Sequence, residues 1–299
     1  MWTGIEILYW FQDVRASCPF LEDFFVAVSS RPVYLAVPIM IALCFYWCVD
    51  KRSGEKILLG CISAMVAAMN VKYGIGQPRP WKMDPDILFV ESANANGPSL
   101  PSGHTAMTAS AFGSAAILGR NRLFAAIMIA LTILVIMARL FLCVHTPLDI
   151  LVGLVFALVF TYLSWKAVDY SYRGDREYHL VSLAYILFFT ALLVIVLTLW
   201  NVDLQTALEY PGFIFGAIVG RELEHRFVGF TVPDVGLRSK IVICTAGGLS
   251  GFLVLMIPII LIPEAGIFVG GILMMVWTIC VYLMVLKKRL EAVSYDLHE

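Results

Sequence analysis

The chain has 299 residues, of which 60% are apolar and only 14% charged, with a mean hydropathy of +0.85. That leaves too little polar surface for a water-soluble domain and suits a helical bundle facing lipid. The net charge of −1 comes without a Lys/Arg-rich stripe, which argues against nucleic-acid binding, and Met1-Trp2-Thr3-Gly4 lacks the basic opening of a cleaved signal peptide.

Residues 1–32 are mixed in polarity. Trp2, Ile5, Leu8, Tyr9 and Phe11 fall near one side of a helix, with Glu6, Gln12 and Asp13 more polar. This pattern fits a helix lying at the membrane surface and equally fits a packed terminal helix. Nine apolar stretches follow, at 33–49, 55–72, 103–119, 122–144, 147–168, 179–200, 210–223, 239–262 and 265–286. The expected fold is therefore all-α, a multi-pass transmembrane bundle of about nine spans. The seventh stretch is short and ends in the charged run Arg221-Glu222-Leu223-Glu224-His225-Arg226.

Orientation follows from the basic residues. With the N-terminus outside and the C-terminus inside, 15 of the 21 Lys and Arg residues fall in inner loops and the tail. Lys72, Arg79 and Arg139 run against this trend and sit towards the outer side. The seven cysteines mostly lie within apolar runs and have no C-x-x-C spacing, so they read as small packing residues. Three glycine ridges recur late in the chain: Gly212, Gly216 and Gly220; Gly247 and Gly251; Gly266 and Gly270. They suit close packing of the last spans, or a face for a homo-oligomer.

Three stretches carry chemistry. The first runs from Lys72 to Pro80, the second is Pro101-Ser102-Gly103-His104, and the third runs from Arg139 to Asp149. On the nine-span layout all three reach one outer membrane boundary. Arg139 follows a nearly unbroken apolar run, and a guanidinium beside hydrocarbon is costly. Snorkelling explains it if it stands alone; an anion site explains it better beside Lys72 and Arg79. Ser102 reads as a helix N-cap, and the amides of that first turn offer a phosphate a favourable dipole. Gly103 would let an oxyanion near the backbone, and His104 is placed to protonate a leaving oxygen. Thr146, Pro147 and Asp149 form a plausible capping box. His145 also stands four residues before Asp149, so the carboxylate can orient the imidazole of a nucleophile, and the two readings are compatible. A metal held by His104, His145 and Asp149 is a rival, weakened by the three cations that would repel it. His179, His225 and His298 receive no catalytic role.

This pattern resembles the type 2 phosphatidic acid phosphatase superfamily, with its Lys-x6-Arg-Pro, Pro-Ser-Gly-His and Ser-Arg-x5-His-x3-Asp motifs. The first matches at Lys72, Arg79 and Pro80 and the second at residues 101–104; the third matches at Arg139, His145 and Asp149, with Ala138 where the family has serine. The resemblance implies a six-helix phosphatase core over 33–200 and three additional spans and a tail over 201–299. It implies phosphate binding by Lys72, Arg79, Ser102, Gly103 and Arg139, with His145 as nucleophile, Asp149 as its partner and His104 as general acid. It further implies a reaction needing no metal or other cofactor, on the extracytoplasmic face of a bacterial cytoplasmic membrane. The expected substrate is a lipid phosphate or an isoprenoid diphosphate such as undecaprenyl diphosphate. The nine-span layout also resembles glucose-6-phosphatase, which keeps a soluble sugar phosphate open as substrate. A lipid phosphotransferase or a non-catalytic phospholipid transporter is also compatible with the pattern.

Overall fold

The structure, a computed structural model, describes residues 4–93 and 95–296. Met1, Trp2, Thr3 and His298, which entered the reading of the sequence, lie outside them. All regular structure among the described residues is helical. In chain order the helices are α1 (Glu6–Ser17), α2 (Phe20–Val28), α3 (Arg31–Cys48), α4 (Lys51–Ile75), α5 (Pro80–Met83), α6 (Gly103–Leu118) and α7 (Arg122–Phe141). They continue as α8 (Pro147–Ser171), α9 (Asp175–Thr198), α10 (Leu204–Leu208), α11 (Pro211–Phe227), α12 (Leu237–Leu261), α13 (Gly266–Val276) and α14 (Tyr282–Asp296), the last two joined by a π-helical turn, Trp277–Val281.

Among the described residues seven helical segments are long and apolar enough to cross a membrane, where the sequence suggested nine spans. The two left over are α6 and α11, of 16 and 17 residues. At 1.5 Å per residue these reach about 24–26 Å, short of a hydrocarbon layer of roughly 30 Å. Both bury polar side chains: Thr105, Thr108, Ser110 and Ser114 on α6, Arg221 and Glu224 on α11. By contrast α7, α8, α9 and α12 leave most of their apolar residues unburied and hold few charges in their central stretches, as lipid-facing helices do.

The chain divides into two compact units. The first comprises residues 1–42, 56–166 and 198–200. In it α1 buries only Leu8 and Phe11, and α2 has no fully buried residue. Leu8 and Phe11 of α1 join Ile87, Val90, Phe141, Leu142, Cys143 and Val144 in one apolar cluster, with Phe25 and Val26 of α2 against it. Arg15 donates to the carbonyls of Leu88 and Phe141, so the N-terminal segment is fastened to the end of α7.

The second unit comprises residues 43–55, 167–197 and 201–299. Its glycine ridges are used within the chain. A Cβ on Gly212 or Gly216 would strike the backbone of Phe268 or Ile272 on α13, so the bare backbones set how closely α11 and α13 approach. Trp47 donates its indole N–H to the Thr278 carbonyl at 3.1 Å, which satisfies an acceptor in the irregular π turn. All seven cysteines are free thiols.

Candidate active site

The site grows from the end of α7. Cys143 takes a left-handed backbone (φ 53°), and with it the chain turns sharply out of α7 and into α8. That turn sets Arg139, His145 and Asp149 within one compact stretch, all of them buried. Thr146 and Asp149 form a reciprocal cap: the Thr146 amide donates to Asp149 Oδ2 at 2.7 Å, and the Asp149 amide to Thr146 Oγ1 at 3.3 Å. The same Oδ2 lies 3.3 Å from His145 Nδ1. Capping and imidazole orientation are thus done by one carboxylate.

The tautomer of His145 follows from its other neighbour. Arg79 Nη1 stands 3.1 Å from His145 Nε2, and a guanidinium can only donate. Nε2 therefore holds the lone pair, and Nδ1 carries the hydrogen that Asp149 accepts. Burial, with Arg79, Arg139 and Lys72 nearby, pushes the His145 pKa well below the ordinary imidazole value. The lone-pair nitrogen Nε2 is thus turned towards the cations.

Arg79 is held by its surroundings. Nε donates to Gly97 O, Nη1 to Val144 O and Nη2 to Asn96 O, at 2.8–3.0 Å. It clamps the loop after α5 to the α7–α8 turn while facing His145. Arg139 differs. Its side chain is 1% exposed, and neither Nε nor Nη1 has a hydrogen-bond partner among the described residues. Lys72 is buried near the end of α4, within electrostatic range of both His104 and His145.

The second motif closes on the third through the backbone. The Ser102 amide donates to the Asp149 carbonyl at 3.0 Å. Gly153 permits that approach, since a Cβ there would come within 2.8 Å of the Ser102 carbonyl. Ser102 is the N-cap of α6, as its position suggested, accepting from the amide and hydroxyl of Thr105. A side chain on Gly103 would meet Met69, so this glycine has a packing reason of its own. His104, in the first turn, sets Nε2 3.1 Å from the Ser29 carbonyl, which must accept; Nε2 therefore carries hydrogen, and in the neutral ring Nδ1 holds the lone pair.

Two contributors escaped the reading of the sequence. Ser99 Oγ donates to Asp149 Oδ2 at 2.5 Å, and Gln77 Nε2 to Asp149 Oδ1 at 3.1 Å. Gln77 lies inside the first motif and Ser99 two residues before the second, so proximity was their only signal. His179 and His225 pair with Glu222 and Asp175, in the other unit. No group of three or more His, Cys, Asp or Glu side chains among the described residues is arranged to hold a metal ion.

Residues 55–173 match the family model of the PAP2 superfamily. This stretch of the chain belongs to that superfamily. The match begins within α4, ends just past α8 and includes every motif residue from Lys72 to Asp149; the N-terminal segment and everything after residue 173 lie outside it. Comparisons with curated proteins and with solved structures found no match. The superfamily suggests a phosphatase, and the long apolar helices fit a membrane protein.

Proposed function

We propose that the chain hydrolyses a lipid phosphate or isoprenoid diphosphate at the extracytoplasmic membrane boundary, through a phosphohistidine at His145 and without a metal. The observation that carries this reading is Arg139. A buried guanidinium with two unpartnered nitrogens, beside Lys72, Arg79 and a neutral imidazole, matches the charge and fork geometry of a phosphoryl group. In the first step His145 Nε2 forms a bond to phosphorus as the phosphorus–oxygen bond to the leaving group breaks. His104 takes up a second proton, at Nδ1, as the phosphate dianion binds; this imidazolium passes the Nδ1 proton to that leaving oxygen, and Asp149 stabilises the positive imidazole of His145 through its Nδ1–H. In the second step His104 takes a proton from water, the water oxygen bonds to phosphorus, and the phosphorus–nitrogen bond breaks. Arg139, Arg79, Lys72 and the α6 amides bear the charge of both transition states. A lipid is favoured because His145 stands in the turn between α7 and α8, two membrane-length helices, where a headgroup resides.

Phosphate release from a panel of lipid monophosphates, isoprenoid diphosphates and soluble sugar phosphates tests this, with and without EDTA. The expected result is chelator-resistant release from the lipids. Release from sugar phosphates alone moves the substrate to the soluble class, and no release from any substrate favours a binding or transport role.

A further inference from the structure

The His104 imidazole is held from one direction by residues that precede the family match. Its Nε2 lies 3.1 Å from the carbonyl of Ser29, the residue that ends α2. The ring of Tyr34, on the first turn of α3 and 4% exposed, lies tilted against it with centroids 3.8 Å apart and planes inclined by 36°. The charged and titratable groups around His104 from other elements are Arg139 of α7, Lys72 of α4 and His145 of the α7–α8 turn. Burial most of all, and then each of these, opposes a proton on the ring. The Ser29 carbonyl and the Tyr34 face do the reverse. A carbonyl at a helix C-terminus carries partial negative charge, and an aromatic face attracts a cation.

We infer that the α2 terminus and Tyr34 are the positioning elements of the general acid, fixing His104 so that Nδ1 alone gains and loses the proton. This rests on the proposed acid role of His104. Because the carbonyl accepts from Nε2–H in both protonation states, the ring can exchange a proton only through Nδ1. Tyr34 holds the ring plane and supports the imidazolium, and a phosphate dianion adds its own attraction during the reaction. The spacing between acid and nucleophile is set by the same segment. Phe25 of α2 packs on Phe141 with centroids 4.6 Å apart, and Phe141 lies between Arg139 and His145 in the chain. The α2 segment is therefore braced on the stretch that carries the nucleophile while its end holds the acid.

The test compares the full-length protein with Tyr34→Phe, Tyr34→Leu and His104→Gln, on an alkyl phosphate monoester and on p-nitrophenyl phosphate across pH. Tyr34→Leu is expected to slow the alkyl ester about tenfold and the nitrophenyl ester little, since a good leaving group needs little protonation. For the alkyl ester the basic limb of kcat/KM should move to lower pH, and Tyr34→Phe should restore both properties. Equal loss on both substrates with an unmoved limb, while His104→Gln remains selective, overturns the positioning role and leaves the acid role standing. An unselective His104→Gln overturns the acid role itself. If Tyr34→Leu does not fold, nitrogen-15 spectra of histidine-labelled native protein decide. The expected finding is that Nδ1 of His104 titrates while Nε2 keeps its hydrogen; titration at Nε2 contradicts the inference.

Discussion

Arg139 and Arg221 are both buried arginines in apolar helices, 1% and 2% exposed, and their nitrogens meet opposite surroundings. Arg221 is satisfied by its own chain. Nε reaches Glu55 at 3.3 Å, Nη1 and Nη2 donate to Ser182 and Ser171, and the guanidinium stacks 3.5 Å from the centre of the Tyr178 ring. Arg139 has neither a carboxylate partner nor hydrogen bonds at Nε and Nη1 among the described residues. A charge in hydrocarbon is costly in either case, but only the first has its compensation built in. The paired arginine therefore reads as architecture and the unpaired one as a binding group. An intramembrane charge is thus sorted by its partners more than by its burial.

The contrast between the two arginines breaks most visibly through the group that Arg139 is proposed to serve. His145→Gln should reduce turnover by about 10⁴-fold or more, measured as phosphate release, because nothing else is placed to attack phosphorus. Near-normal turnover would leave Arg139 without its proposed purpose. Arg139→Leu comes next. It should cost about 10²–10³ in kcat, the scale for losing a donor to a developing oxyanion. Thermal unfolding in detergent should show unchanged or increased stability, because no partner is left unpaired. Arg221→Leu should do the reverse. It strands Glu55, which is 2% exposed, and should destabilise the protein by about 3–5 kcal/mol while the folded fraction keeps its kcat. Adding Glu55→Leu should return much of that stability. If Arg221→Leu instead abolishes kcat in well-folded protein, the division between architecture and site fails.

The smallest expected effect concerns protonation. His145 has its pKa lowered by burial and by Arg79, Arg139 and Lys72, so its neutral form persists as pH falls through the ordinary imidazole value of about 6.5. Nitrogen-15 spectra should show the neutral Nδ1–H tautomer at pH 6.5. Arg79→Gln should shift protonation to higher pH, since one opposing cation is gone. A charged His145 at pH 6.5 in the unmodified protein would contradict the tautomer drawn from the Arg79 contact.

Much of the site was legible in the sequence because its chemistry is carried by side chains at fixed local spacing. His145 and Asp149 stand four positions apart, about one helical turn, and that spacing alone implied the contact found at 3.3 Å. The N-cap at Ser102 was equally local. What stayed hidden depends on distant chain or on the backbone. The Ser29 carbonyl has no side-chain signature, and Tyr34 is one aromatic residue among many. Ser99 and Gln77 meet Asp149 only after the loop folds back. In the fold, apolar runs located the long helices. α6 and α11 are shorter and bury polar side chains, so hydropathy alone does not establish them as full spans. The clamp role of Arg79 was hidden for a related reason: charge near a motif suggested phosphate, whereas three carbonyls hold most of its donors.

The central claim is that the phosphoryl group passes through His145, and rapid-quench trapping measures this directly. Enzyme mixed with substrate labelled in the phosphoryl group, quenched in alkali within one turnover, should yield a phosphoprotein that is alkali-stable and acid-labile. Peptide mapping should place the label on His145, the label should appear before free phosphate, and it should be absent from His145→Gln. Label on another residue, or product formed in a single turnover with no phosphoprotein preceding it, would contradict the account.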